Sequence, residues 1–314
     1  MHRRKFLRSL LEAGAFSVGA RFTTGCLASA PRPQLALTID DPTLELGPYM
    51  HWPEANQRIL ELLRQRKLNA ALFVCGKRVQ GASGHQLLRD WNDADHLICN
   101  HSYSHLNFNL PETTYSRFVS DFQNDEQLLS AFQNRTKLFR YPFLKEGDTA
   151  EKRDGFRAFL KQSEYRVGYV TIDTSDWYVN ERMQDALQRD SRISRVPYRD
   201  YLISHLLDRT AFYRQLSIDV LGHDIPHTIL LHYHMLNALF LPDVMNVFEQ
   251  KGWEWIDARK AFDNPVFLRQ PKTLPAGESL IWALAAEDGG FKDRLRYPGE
   301  DDIYEKPKMD RLGL

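Results

Sequence analysis

Cysteine is scarce: three residues in 314 exclude a disulfide-stapled scaffold and leave the hydrophobic core to hold the fold. Long apolar runs are missing as well. The nearest approach, Phe6 to Ala20, is short and broken by Arg8 and Glu12, so it does not read as a membrane-spanning helix. Nor is there an excess of either charge. Lys plus Arg and Asp plus Glu both total 41, and a chain of zero formal charge has no global field to gather nucleic acid or an anionic membrane. A neutral or weakly charged substrate is the easier partner. No repeat of solenoid length and no low-complexity linker divides the body. The length is enough to bury a full core, as one α/β barrel or as two smaller domains.

The opening MHRRKFLRSLL places Arg3 and Arg4 directly before the weakly apolar stretch, in the Arg-Arg-x-Phe-Leu pattern of twin-arginine export. Residues 1–30 are therefore set aside as an address, with a basic amphipathic helix of a cytosolic protein as the alternative. Two processing sites compete. Thr23-Thr24-Gly25-Cys26 resembles a lipoprotein signal with Thr23 in place of the usual Leu, and Ala28-Ser29-Ala30 reads as a cleavage site with rigid Pro31 behind it. Either implies an exported protein of the periplasm or cell envelope, with a lipid anchor at Cys26 as its one link to a membrane. Cys75 and Cys99 end the apolar runs ALFVC and HLIC, and two readings stay open: a disulfide in an oxidising compartment, or two buried thiols.

Beyond Pro31, short β-like runs alternate with segments of helical period, which predicts a parallel sheet wrapped by helices. Strands are expected at Leu35 to Ile39, Ala70 to Val74, His96 to Cys99, Leu138 to Tyr141, Arg166 to Ile172, Thr228 to His232 and Trp253 to Ile256. Helical spacing marks Glu54 to Gln65, Tyr115 to Phe132, Asp148 to Ser163 and Asp243 to Gln250. A polar, Arg-rich insertion from Tyr178 to Asp219, helical over Met183 to Arg189 and Tyr198 to Tyr213, is placed to wall a cleft. The main domain is read as residues 31–268, followed by a C-terminal extension, 269–314, with turn signals at Pro-Ala-Gly and Tyr-Pro-Gly.

Five polar clusters stand where apolar runs end: Asp40-Asp41, His101 with His105, Arg140-Tyr141-Pro142-Phe143, Asp173 with Asp176-Trp177, and His232 with His234. In parallel barrels the carboxyl ends of strands face the active-site mouth, so one location would gather all five. His101 and His105, four apart, would share one face of a helical turn, and a carboxylate from another strand would complete a two-His, one-carboxylate set with positions left for water and substrate. Zinc suits that set; cobalt, nickel or iron would also be accepted. Adjacent carboxylates leaving a strand point apart and need not share one job.

In this order, over roughly residues 35 to 260, the clusters resemble the NodB-type polysaccharide deacetylases, carbohydrate esterase family 4. The resemblance implies a distorted (β/α)7 barrel and hydrolysis of acetyl groups, N-acetyl first, from an acetylated polysaccharide or oligosaccharide. It implies Asp41, His101 and His105 as ligands of a divalent metal ion, zinc foremost. Asp40 would be the general base, Arg140 its ion partner, His232 the general acid and Asp176 the residue orienting it. Phe143 would supply a main-chain N–H to the oxyanion, Trp177 would wall the acetyl pocket, and Tyr141 and His234 would border the substrate. The chain departs from the family at Asp41-Pro42-Thr43, where a Gly usually precedes the Pro, and at Phe143, usually Tyr. Asp173 is assigned to loop shape, and Trp52, Trp91 and Tyr103 to packing. Two other readings stand beside this one: an amidase on small non-sugar amides, and a glycan-binding protein that has lost the chemistry.

Overall fold

Residues 32–295 and 302–314 are described by the computed structural model of the chain; the Arg3-Arg4 pattern, Cys26 and both processing sites lie outside the described residues. The first strand, β1 (Gln34–Asp40), reads QLALTID and is buried at every position after Gln34. A strand covered on both faces belongs in the interior of a parallel sheet flanked by helices. The chain continues through α1 (Trp52–Arg66), β2 (Ala71–Val74), α2 (Gly81–Asp93), β3 (Leu97–Asn100), α3 (Tyr115–Leu129) and β4 (Arg135–Phe139). Then come β5 (Lys145–Gly147), α4 (Ala150–Gln162), β6 (Arg166–Val167), α5 (Asp176–Arg189), α6 (Val196–Leu221) and β7 (His227–His232). The described chain ends with α7 (Met235–Gln250), β8 (Glu254–Ile256), α8 (Ala258–Phe262), β9 (Ala276–Gly277), α9 (Leu280–Asp288) and α10 (Glu305–Leu312).

Seven strands form one sheet in the order β6-β4-β3-β2-β1-β7, with β8 beside β1. Every pairing in it is parallel. β7 runs along one edge of β1, while β2 and β8 share the other, at Thr38–Asp40 and Gln34–Ala36 respectively. At the far end, Ile172 makes a parallel bridge to Ile229 of β7, so the sheet curls back toward its own edge. This is a mixed α/β fold with a strongly curled, parallel half-barrel sheet, the distorted barrel expected from the sequence.

The expected strand from Arg166 to Ile172 is a correction. Only Arg166 and Val167 pair with β4, and the chain leaves the ladder at Gly168. A Cβ on Gly168 would stand 2.5 Å from the Phe73 ring, and the Gly168 carbonyl accepts from Arg140 Nε at 2.9 Å. Beyond it the chain turns to β7 instead: Thr228 Oγ1 donates to the Tyr169 carbonyl, Thr171 Oγ1 and the Ile172 N–H donate to that of Thr228, and the Leu230 N–H donates to the Ile172 carbonyl. Gly168→Ala should therefore cost about 1–3 kcal/mol through overpacking against Phe73. A urea midpoint equal to the parent's would show that Phe73 yields freely.

The helices follow their apolar spacing but not always its limits. On α1, Ala55, Ile59, Leu62 and Leu63 are buried, and Asn56 beside them accepts from Trp91 Nε1 at 2.6 Å and donates to Asp90. Trp91 is thus a fully buried packing residue. α7 begins eight residues before the expected Asp243, because the His234 ring accepts the Asn237 N–H and caps it. α2 was not among the expected helices; Gly81 and Gly84 in its first turn weaken its helical pattern. Gly84 is needed there: a Cβ would lie 1.8 Å from the Val79 carbonyl oxygen. The C-terminal residues also contribute structure. β9 pairs antiparallel with β5, α9 buries Leu280, Ile281 and Leu284, and Met309 of α10 is fully buried.

Cys75 and Cys99 are both free and buried, which settles the open alternative against a disulfide. Burial pushes the Cys75 thiol up to about 12 and raises that of Cys99 as well, so neither is a ready nucleophile. Among the described residues, no helix is long and apolar enough to cross a membrane.

Candidate active site

The parallel register sets several strand ends at one level. Asp40 of β1 aligns with Phe73 of β2 and His232 of β7, and the next main-chain bonds run from Asp41 to the Phe73 carbonyl, His101 to that of Val74 and Arg140 to that of Asn100. The five clusters therefore meet at the carboxyl end of the sheet, around a cleft of about 530 Å³. A more open depression of about 1100 Å³ between α1 and α2 contains none of the cluster residues.

Asp41 takes a left-handed turn, φ 58°, as the strand ends, a conformation that Asp tolerates better than most residues. The turn separates its carboxylate from that of Asp40. Asp41 Oδ2 lies 3.3 Å from His105 Nε2, and Oδ1 is buried without a hydrogen-bond partner among the described residues. His101 Nδ1 donates to the Arg140 carbonyl at 2.8 Å, which leaves Nε2 with its lone pair exposed to the site. One donor atom each from Asp41, His101 and His105 lie within 4.8 Å of one another. Burial pushes His101 down to about 3 and lowers His105, so both rings are neutral, as ligation requires. Burial opposes the Asp41 carboxylate, but His105, His101 and Arg78 together hold its pKa below the ordinary value. An orphaned buried carboxylate oxygen beside two neutral imidazoles fits a divalent ion.

The expected vehicle for this histidine pair was wrong. No helix carries them: Ser102 and His105 have φ values of 61° and 57°, in a loop held by Asn100 Oδ1 on the Ser102 N–H and Asp121 Oδ2 on the Ser104 N–H. The turned loop brings the two rings to 5.0 Å between centroids.

Asp40 is 2 % exposed, and its Oδ1 accepts from Arg140 Nη1 at 2.5 Å. Arg140 is itself buried, spread over the Phe73 ring at 3.8 Å and bonded to Thr38 Oγ1 and the Gly168 carbonyl. Burial raises the Asp40 carboxyl to about 6 against the pull of Arg140 and His232. Across the cleft, His232 Nδ1 is 2.7 Å from Asp176 Oδ1. Burial works against the charged imidazole, yet Asp176, with Asp40 and Asp41 beyond it, carries His232 up to about 9. Asp176 also accepts the His232 N–H, Asn237 Nδ2 and the Trp177 N–H. Burial opposes its carboxylate too, but His232 and His234 hold it well below the usual range.

Of the residues expected to border substrate, Trp177 and Phe143 line the cleft, the latter with its ring 4.5 Å from that of His105. Tyr141 lines the cleft as well, but mostly from within the core. Its ring is 2 % exposed among Phe118, Phe139 and Phe156, so it is a core residue at the cleft's edge. His234 borders the cleft too, with its Nε2 3.1 Å from Asp176 Oδ2 and its Nδ1 capping α7. Asp173 is buried beside the same loop.

Several cleft residues escaped sequence reasoning. Arg78 Nη2 stands 3.4 Å from Asp41 Oδ2, and its place just past β2 was the available signal. Glu45, Glu181 and Gln184 line the cleft from the loop after β1 and from α5. Asn237 joins the Asp176 carboxylate to the His232 carbonyl, bonds that no motif announced.

The family described as polysaccharide deacetylase has a sequence model that matches residues 28–159, a span holding Asp40, Asp41, His101, His105 and Arg140. Over that part of its length the chain resembles the polysaccharide deacetylase family. Solved structures similar to this chain include the polysaccharide deacetylase Bc1974 from Bacillus cereus, 21 % identical, with 72 % of this chain and 92 % of that one covered and a TM-score of 0.49. The peptidoglycan deacetylase PdaC from Bacillus subtilis is 20 % identical over 73 % of this chain and 90 % of its own, with a TM-score of 0.47. BA3943 from Bacillus anthracis, described as a family 4 carbohydrate esterase pseudoenzyme, is 19 % identical over 74 % and 66 %, with a TM-score of 0.46. No curated protein matches the chain in sequence.

Proposed function

We propose that this chain is an exported, metal-dependent deacetylase that removes acetyl groups, N-acetyl first, from an acetylated glycan. The observation that supports it most is the opposition of two dyads across one cleft, Asp40–Arg140 and His232–Asp176, beside the Asp41, His101, His105 donor set. Export rests on the Arg3-Arg4 pattern alone, outside the described residues.

A divalent ion held by Asp41, His101 and His105, zinc by the nature of the donors, would polarise the acyl oxygen and acidify a water. Asp40, ionised and held by Arg140, takes the proton of the attacking water. Arg140 keeps that carboxylate aimed and charged in a site where burial favours the neutral acid. The Phe143 main-chain N–H is assigned to the oxyanion. His232, with Nδ1 committed to Asp176, gives a proton from Nε2 to the departing amine. Environments that separate the two pKa values, about 6 for Asp40 and about 9 for His232, put base and acid in working protonation states near neutrality. Trp177 forms a wall of the acetyl pocket.

His232 has a raised pKa, so its acid function is present below that value and lost above it. Activity on an amide substrate should decline as pH rises through about 9. Asp176→Asn removes the charge that sustains the imidazolium and should bring the decline to lower pH; a pH–kcat/KM profile with an unmoved alkaline limb would remove Asp176 from that role.

The direct test is acetate release from acetylated glycan oligomers with and without a chelator. Release abolished by chelation and restored by zinc supports the proposal; no release from the metal-loaded protein on any oligomer overturns it. A small-amide hydrolase is the second reading, favoured by one observation: Gln184 of α5, which lines the cleft, packs against Gly47 of the loop after β1, whose added Cβ would lie 2.3 Å from Gln184 Oε1. Turnover of small amides and never of oligomers would select it.

A further inference from the structure

α10 brings a carboxylate beneath Ser175, the residue that leads into Asp176 at the start of α5. Glu305, the first residue of α10, is 1 % exposed. Its Oε1 lies 3.2 Å from His205 Nδ1, and its Oε2 accepts from Ser175 Oγ at 3.3 Å. Arg209 Nη2 reaches both carboxylate oxygens, at 3.4 and 3.5 Å. His205 and Arg209 are one turn apart on α6 and so share a face.

The histidine is the informative member. Its Nε2 accepts the Ser175 main-chain N–H at 2.9 Å, so the ring proton sits on Nδ1, directed at Glu305. Ser175 precedes Asp176, and its N–H and hydroxyl are both tied to this buried group. A shift of Ser175 would carry Asp176, whose oxygens hold His232 at 2.7 Å and Asn237 at 2.6 Å. None of Glu305, His205, Arg209 or Ser175 lies within residues 28–159, the part matched by the family model.

We propose that Glu305 is a positioning residue for the reaction: through His205 and Ser175 it sets the start of α5 and with it the Asp176 carboxylate that orients His232. The assignment rests on the deacetylase reading for its kinetic part. A merely structural role would be to dock α10, but docking has other anchors. Met309 is fully buried, and Arg182 pairs with Asp310 at 2.7 Å and donates to the Leu314 carbonyl.

The test compares Glu305→Ala and Glu305→Gln with Met309→Ala in the full chain. In the glutamate variants kcat should fall about tenfold, with KM and metal content little changed, because only the aim of the general acid is disturbed. Glu305→Gln, which keeps an acceptor for His205, should lose less. The downfield proton resonance of His232 Nδ1–H, assigned by its absence in His232→Gln, should shift or broaden in both. Met309→Ala should lower the melting temperature and leave kcat and the resonance alone. Unchanged kcat and resonance in folded Glu305→Gln and Glu305→Ala, or equal changes in Met309→Ala, would overturn the proposal. The resonance needs no substrate, so a parent without deacetylase activity would sink the functional reading and leave the positioning role to be decided by the spectrum.

Discussion

The Asp41→Ala, His101→Ala double variant should be isolated without divalent metal, where the parent holds about one equivalent, and should lose essentially all acetate release. The physical reason is the donor count. Three atoms within 4.8 Å of one another reduce to the single His105 ring, which cannot hold an ion against water. Removing both partners together matters for interpretation. Taking His101 alone would leave the buried Asp41 carboxylate with less compensation, at an unsatisfied-group cost of about 1–3 kcal/mol, whereas the double change removes carboxylate and imidazole at once. Arg78 loses its ion partner, but its side chain is 43 % exposed and regains water. Elemental analysis and a urea melt on the same samples separate loss of metal from loss of fold. Metal retained by the variant, or absent from the reconstituted parent, would end the metal-site assignment and favour the glycan-binding reading.

Asp40→Asn should lower kcat by about 10²–10⁴ while the metal stays bound, since positioned general bases contribute on that order and Asp40 is outside the ligand set. It should also cost stability. Arg140 is 1 % exposed and bonded to Asp40 at 2.5 Å, and stripping one charge from such a buried pair leaves the other uncompensated, about 3–5 kcal/mol in comparable cases. Folded fraction therefore has to be measured beside turnover. A folded, metal-loaded Asp40→Asn protein with parental kcat would remove Asp40 as base. Glycan affinity unchanged by the substitution, with no turnover in either form, is the signature of a binding protein on the same scaffold.

Much of this architecture was legible from apolar runs. β1, β2, β3, β4 and β7 lie close to their expected positions because strands buried on both faces must be apolar throughout, and the polar residues that end them are conspicuous. The same logic located Asp40, Asp41, His101, Arg140 and His232 at one mouth. It failed where a local pattern has two physical causes. His101 and His105 have the spacing of a helical turn, but Asn100 and Asp121 hold a left-handed loop instead. Tyr141 borders the cleft from within a site motif, while its ring belongs to the aromatic core. Gly168, where the strand leaves β4, has no room for a side chain beside the Phe73 ring, a neighbour far away along the chain.

The order of residues along this chain, read without coordinates, was enough to establish a parallel α/β sheet, its family resemblance and the donor types gathered at its mouth, because backbone periodicity and strand ends are local properties. Which atoms meet was a matter of three-dimensional packing. The Nδ1 bond of His101 to the Arg140 carbonyl, the shared hold of His232, His234 and Asn237 on Asp176, and the reach of Glu305 beneath Ser175 all join residues distant in sequence. Hydrogen bonds and ion pairs of that kind leave no periodic trace, since each depends on where two separate elements come to rest against a common core.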